Sequence, residues 1–269
     1  MNKISFVCVN YSHYDYTSHW VNSILNMYNI DKILNEIVIV NNSESRDEQS
    51  NLLKYLSRIE KVHIIETKNQ GYFAGLNIGI AYLNDKYSDQ DIIISNNDIL
   101  FDKFFIDNYQ QKIYMNEYLV IVPDIVTLDN IHQNPQYVNH LSRIRITLYK
   151  FYYSHYYIAC LINILQKFLK VKQKKNMNYL VSQEIHLCTG ACMILRNEFL
   201  IKNKLLDSRV FMWGEEALLS HQVEQSSGKI FYDKDLKVLH FEHGTVNKLS
   251  KRKSYEMVRQ SFKIYKEYL

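Results

Sequence analysis

The first half of the chain alternates short apolar runs with segments of helical spacing. Ile4–Val9, Ile37–Val40, Val62–Ile65, Ile92–Ile94 and Leu119–Val122 are unbroken apolar, mostly β-branched runs. Between them, Tyr16–Tyr28, Arg46–Leu56, Phe73–Leu83 and Phe104–Met115 each suit an amphipathic helix. A strand without polar alternation is buried on both faces, as in a parallel sheet. Strands alternating with helices predict an α/β layered fold. The last third repeats the pattern. A strand is predicted over Leu187–Leu195, a helix over Glu216–Gln225, and short strands over Lys229–Tyr232 and Lys237–Phe241. A polar helix over Ser254–Tyr268 carries Tyr255, Val258, Phe262 and Tyr265 on one stripe.

The middle departs from this rhythm. Residues 130–183 hold no Asp or Glu in 54 positions but eight Lys or Arg, so the +4 chain is net −4 outside them. Within that stretch Tyr157, Leu161, Ile164, Leu165 and Phe168 follow helical spacing, with Asn163, Gln166, Lys167, Lys170 and Lys174 opposite. A basic amphipathic helix bordered by Tyr152, Tyr153, Tyr156 and Tyr157 suits an anionic membrane surface. Packing within the domain, or in a homodimer contact, is the competing use of the same stripe.

Composition narrows the class. At 269 residues with 47% hydrophobic positions the chain supports a sizeable core and is not globally disordered. A net charge of +4 is too weak to indicate nucleic acid. Four Cys are too few for a disulfide framework and read as reduced core residues. No signal peptide and no apolar run of membrane-spanning length is visible, so a cytoplasmic protein is expected. The Rossmann glycine fingerprint is missing after the first strand, as is a Walker A loop, which excludes dinucleotide oxidoreductase and P-loop chemistry. A nucleotidyltransferase would want a Gly-rich basic loop there, and Asn10–Tyr16 has no Gly.

In layered α/β folds ligands bind beyond the carboxyl ends of the strands. Four such ends are short, polar and Asn-rich: Asn10-Tyr11-Ser12, Asn41-Asn42-Ser43-Glu44, the segment Asn69–Asn77, and Asn96-Asn97-Asp98. Turn formation explains one such loop, but four at one edge point to a site. Asp98 at a strand end suits a hard divalent cation, Mg²⁺ or Mn²⁺, and equally suits a helix cap. Met212-Trp213-Gly214-Glu215-Glu216 places two carboxylates after an aromatic residue at a helix start, where they serve as a general base or simply complement the helix dipole. His240-Phe241-Glu242-His243 crowds two imidazoles and a carboxylate at another strand end.

Together these residues resemble the family 2 glycosyltransferases of GT-A fold, most of all the bacterial rhamnosyltransferase-like branch that builds surface polysaccharides such as capsule and O-antigen. The resemblance covers about residues 3–125 and 186–247. Its most specific part is Asn69-Gln70-Gly71-Tyr72-Phe73-Ala74-Gly75-Leu76-Asn77, which is similar to the family's N-x-G-F-A-G-G-x-N element. Asn10-Tyr11 and Asn41-Asn42-Ser43 resemble its first two strand ends, Asn96-Asn97-Asp98 its metal-binding DxD position, and Gly190 with Leu206–Glu216 its acceptor-side segment ending in Glu-Asp. His240 resembles the late His that completes the metal site. The chain departs from the pattern at Asn41 and Asn96, where the family has Asp, and at Glu216, which replaces the Asp of Glu-Asp.

The resemblance implies a mixed GT-A sheet flanked by helices in one catalytic domain over 1–269. A nucleotide-sugar half spans 1–125, a basic helical insertion 126–185, an acceptor half 186–247 and a C-terminal helix 248–269. It implies inverting transfer from a nucleotide-diphosphate sugar to a glycan or lipid-linked hydroxyl, on the cytoplasmic membrane face. Glu216 is the expected base with Glu215 beside it. Asn10, Tyr11, Asn41, Asn69, Gly71, Phe73, Ala74, Gly75, Asn77 and Asn97 fall on the donor side, Gly190 and Trp213 on the acceptor side. Asp98 and His240 are the expected ligands of Mg²⁺ or Mn²⁺. A degenerate sugar- or nucleotide-binding protein of the same fold is the rival reading, supported by Asn41 and Asn96.

Overall fold

A computed structural model describes residues 2–11, 14–43, 50–168, 177–242 and 250–269. The chain runs β1 (Lys3–Asn10), α1 (Tyr14–Leu25), α2 (Ile30–Ile33), β2 (Leu34–Asn41), α3 (Ser50–Leu56), β3 (Val62–Glu66) and α4 (Tyr72–Lys86). Then come β4 (Gln90–Asn96), β5 (Ile99–Phe101), α5 (Phe105–Gln110), β6 (Tyr118–Thr127), α6 (Arg143–Tyr152) and α7 (Tyr156–Phe168). The last part holds β7 (Gln183–Ile185), β8 (Cys192–Leu195), α8 (Asn197–Asn203), α9 (Glu215–Gln225), β9 (Lys229–His240) and α10 (Lys251–Tyr265).

The described strands form one mixed sheet in the order β3-β2-β1-β4-β8-β6-β9-β5, with β7 on β9. The apolar runs explain its two-sided burial. Phe6 and Cys8 of β1, Ile37 and Ile39 of β2, and Ile93 of β4 face the layer that holds Trp20 and Ile24 of α1. Val7, Val38, Val40, Ile92 and Ile94 face the opposite layer, with Phe73, Leu76 and Ile80 of α4 and Leu219 and Val223 of α9. Strand pleating thus sends alternate residues of each apolar run into two separate cores.

β1 to β4 lie parallel, and their register brings Asn10 level with Asn41, Asn41 with Glu66, and Val9 with Asn96. The four polar strand ends therefore share one edge. β4 turns through Asn97-Asp98 into β5, whose Ile99 pairs antiparallel with His240 of β9. Asn77 on α4 ties the two halves together. Its Nδ2 donates to Leu206 O and its Oδ1 accepts from Leu206 N, both at 2.8 Å.

Several sequence expectations are corrected. The strand expected over Leu187–Leu195 is confined to Cys192–Leu195, because Leu187 makes a backbone bridge with Tyr137 instead. The two short strands near Lys229 and Lys237 are one, β9, carried across a register shift opposite Pro123 and Asp124. The helix expected to reach Met115 stops at Gln110, and Lys112 beyond it pairs with Asp233 at 2.6 Å and Asp235 at 2.8 Å. Helix α6 was not expected. Ser142 caps it, its Oγ accepting from Arg145 N, and its apolar residues Ile144, Leu148 and Phe151 stay exposed rather than marking a buried face. All four cysteines are free, three of them buried, as reduced core residues should be. Of the helix expected over 46–56, residues 46–49 lie outside the described residues.

Replacing Asn77 with Ala leaves the Leu206 N–H and C=O without their partners. The expected destabilisation is about 2 kcal/mol, or a fall of about 4–8 °C in melting temperature for a domain of this size. Chemical and thermal denaturation followed by circular dichroism measure it, and an unchanged midpoint refutes the clamp.

Candidate active site

A buried polar chain runs along the shared edge. Asn10 is wholly buried; its Nδ2 donates to Asn41 Oδ1 at 2.8 Å, and its Oδ1 accepts from Thr17 Oγ1 at 2.7 Å and Asn97 Nδ2 at 3.2 Å. Asn41 Nδ2 in turn donates to Glu66 Oε2 at 2.8 Å. Each amide thus finds partners on a neighbouring strand end, which holds the edge in one arrangement. Asn42, the next residue, is buried beside Gly75, and its Oδ1 has no hydrogen-bond partner among the described residues. Tyr11 is half-buried at this edge.

The Asn69–Asn77 element divides between turn and packing. Asn69 Oδ1 accepts from Gly71 N at 3.1 Å, an Asx turn leading into α4. Gly71 has φ +106°, and a Cβ there would fall 2.5 Å from Phe211 O. Both the dihedral and the space require glycine. Gly75 packs on Val9 and Asn42, Ala74 is half-buried, and Phe73 is fully buried in the core. Phe73 and Asn77 are therefore structural neighbours of the edge, while Asn10, Asn41 and Asn97 meet directly.

Asp98 and His240 come together where β5 meets β9. Asp98 Oδ1 lies 3.2 Å from His240 Nε2, and Gln133 Oε1 lies 2.8 Å from His240 Nδ1. Gln133 accepts the Nδ1 proton and so directs the other ring nitrogen at the carboxylate. A neutral imidazole would then oppose a lone pair to a carboxylate oxygen. The contact is favourable with a proton or a cation shared between them. One carboxylate and one imidazole at this separation suit adjacent ligands of a divalent ion, so the residues fit the metal that the resemblance implies. His243 lies outside the described residues.

Glu215 and Glu216 open α9. The turn before them is sharp: Trp213 has φ +66° and Gly214 φ +99°, and a Cβ on Gly214 would lie 2.1 Å from the Tyr265 ring of α10. A Trp held in the left-handed region is strained, at about 1–2 kcal/mol. Gly190 N donates to Glu216 Oε1 at 3.1 Å. Burial and the neighbouring Glu216 charge push Glu215 up to about 8. Burial raises Glu216 too, but the backbone N–H groups of Glu216, Gly190 and Gly214 oppose the rise. A proton on the pair is therefore held more firmly by Glu215, and the negative charge is favoured on Glu216.

The two centres are joined by backbone. Asn96 N donates to Ala191 O at 2.9 Å, Thr189 Oγ1 donates to Gln133 O at 2.9 Å, and Asn134 Oδ1 accepts from Thr189 N at 2.8 Å. Tyr72 OH donates to Gly190 O at 3.2 Å. Burial pushes that phenol well above its usual range. Sequence reasoning missed Thr17, Glu66, Tyr72 and Gln133. Glu66 directly follows the third apolar run and Tyr72 lies inside the Asn69–Asn77 element, whereas Thr17 and Gln133 carry no local signal.

No family model and no curated protein matches the chain. Solved structures do. GalNAc-T7 with UDP, GalNAc and Mn²⁺ superposes with a TM-score of 0.62 at 15% identity, over 90% of this chain and 44% of that one. Residues 1–349 of Staphylococcus aureus TarS superpose with a TM-score of 0.56 at 11% identity, over 89% of this chain and 60% of that one. This chain has the GT-A glycosyltransferase fold. It spans less than two-thirds of either neighbour's length.

The raised Glu215 carboxyl sets a pH dependence of stability. Its folded value of about 8 lies above the ordinary 4.5, so the folded state binds more protons between these limits. Stability therefore falls as pH rises through that window and is lowest above it. Glu215→Gln removes the penalty. Its stability relative to wild type is expected to increase between pH about 5 and pH about 8.5, by on the order of 1–3 kcal/mol. Urea unfolding of both proteins at the two pH values checks this, and a pH-independent difference excludes it.

Proposed function

We propose that the chain is an inverting glycosyltransferase that moves a sugar, a hexose or rhamnose, from a nucleotide-diphosphate donor to a hydroxyl of a glycan or lipid-linked acceptor in bacterial surface polysaccharide synthesis. The observation that carries the reading is the junction, on a GT-A fold, of an Asp98–His240 pair with the buried Glu215 and half-buried Glu216 across one short stretch of backbone. Asp98 and His240 would hold Mg²⁺ or Mn²⁺, which supplies charge neutralisation for the leaving diphosphate. Glu216 accepts the proton of the acceptor hydroxyl. The freed oxygen attacks the anomeric carbon from the face opposite the diphosphate, whose C–O bond breaks with its electron pair, so the anomeric configuration inverts. Gly190 holds the Glu216 carboxylate in place through its N–H, and Trp213 offers an aromatic face for the acceptor sugar. Asn10, Tyr11, Asn41, Asn69 and Asn97 border the donor.

Glu216→Gln keeps shape and removes the proton acceptor. Transfer is expected to fall by about 10²–10⁴-fold with donor affinity nearly unchanged. Asp98→Ala, or excess chelator, is expected to abolish turnover. Release of nucleoside diphosphate from a panel of donors measures both. Full activity of both Glu216→Gln and Glu215→Gln displaces the base from this helix. Donor binding with no turnover of any donor favours the silent sugar-binding protein instead.

We further infer that α6 and α7 dock the enzyme on an anionic membrane. Ile144, Leu148 and Phe151 of α6 and Tyr157, Leu161, Ile164, Leu165 and Phe168 of α7 are all exposed, Phe168 at 81%. The stripe that could have packed inward therefore faces out, in a segment without one acidic residue. No described helix is long and apolar enough to cross a membrane. Surface docking instead combines apolar insertion with attraction of Arg143, Arg145, Lys150 and the lysines near 167–175 to anionic lipid, about 1 kcal/mol each. Lys170, Lys172, Lys174 and Lys175 lie outside the described residues. Co-sedimentation with anionic vesicles is expected to exceed that with neutral vesicles, and to drop when Leu148, Phe151, Leu161 and Ile164 become Ser. Equal recovery throughout, with a concentration-dependent dimer in solution, assigns the face to a second copy of the chain.

A further inference from the structure

Away from the active site, His140, His186 and Glu224 converge from three separate parts of the chain. His140 lies in the segment leading to α6, His186 follows β7, and Glu224 sits in the last turn of α9. Each offers one ligand atom, and the three lie within 4.8 Å of one another. Glu224 Oε1 is 3.3 Å from His140 Nε2 and 3.2 Å from His186 Nδ1. These separations match the edge between two ligands of a tetrahedral ion with bonds of about 2.0–2.1 Å.

The backbone fixes this cluster. His186 N donates to Tyr137 O and Leu187 N to the same oxygen, both at 3.0 Å, while Tyr137 N donates to Leu187 O at 3.1 Å. His186 is buried, and Ser220 Oγ lies 3.1 Å from its Nδ1, next to the Glu224 contact. Its Nε2 is buried with no hydrogen-bond partner among the described residues. The rings of His140 and His186 stack with centroids 3.8 Å apart. His140 is 65% exposed, so its ring has room to swing its Nε2 onto a shared ion.

We propose that His140, His186 and Glu224 form a second metal site, for Zn²⁺ or a similar borderline-soft divalent ion, distinct from the Asp98–His240 centre. Two imidazoles and a carboxylate select such ions over Mg²⁺. Three protein ligands leave a fourth position for water. Glu224 lies about 13 Å along α9 from Glu215 by helical rise, so the ion stands at the far end of the base-bearing helix. There it staples the segment entering α6 to α9. The site is independent of the proposed transfer reaction.

The test uses metal-stripped protein carrying Asp98→Ala, so that the donor-side centre does not contribute. Zn²⁺ titrated calorimetrically is expected to bind one ion per chain at micromolar or lower concentration and to raise the melting temperature, while Mg²⁺ does neither. His140→Ala and Glu224→Gln, both at exposed positions, are expected to abolish the thermal shift. No Zn²⁺ binding, or binding of unchanged affinity in His140→Ala and Glu224→Gln proteins that melt cooperatively, overturns the proposal.

Discussion

Taking two adjacent carboxyl groups out of water is unfavourable by several kcal/mol unless donors and dipoles replace the solvent. At Glu215 and Glu216 the replacement comes from the N-terminus of α9, whose free N–H groups and dipole favour negative charge. Much of the surrounding architecture follows from bringing those donors in. Gly190 must approach closely, which fixes the path between β7 and β8. The left-handed turn at Trp213 and Gly214 must be tight, which lets Tyr265 close over it. Ser261 on the same helix donates to Met212 O at 2.7 Å, locking α10 against that turn.

The layered fold was legible because its physics is local. Unbroken runs such as Ile37–Val40 have no polar face, so only a sheet covered on both sides accommodates them. The strand ends at Asn10, Asn41 and Asn96 could be read for the same reason. The pairing of Asp98 with His240 was reached through resemblance; the residues by themselves offered only a carboxylate and an imidazole at two strand ends. Boundaries failed where tertiary contacts override the pattern. Leu187–Ala191 looks like strand, yet its backbone serves Tyr137, Asn96 and Glu216.

What was not legible is the support behind each site residue. Gln133 sets the His240 ring, yet it lies in the acid-free middle stretch, where nothing distinguishes it from surface Gln. Thr17 and Glu66 anchor Asn10 and Asn41, one from a helix face and one from a strand end. Such residues act by distance in space, and a single sequence carries no record of that. Exposure is hidden in the same way. The stripe on α7 has the period of a buried face, and only the structure shows that it turns outward.

The long reach of these contacts governs how the molecule is made. Gln133 meets His240 across 107 positions, Tyr72 meets Gly190 across 118, and Asn77 meets Leu206 across 129. Each closes a large loop before any contact rewards it, a topology that folds slowly. The early strands β1 to β4 find one another first on the nascent chain, but β8 enters the sheet between β4 and β6 only later. Until then the β4 edge is an unpaired apolar strand, open to association with other chains. The wait of β4 for β8 is thus the stage of synthesis at which strand-to-strand association with other chains is most favoured, well before any of the site's chemistry exists.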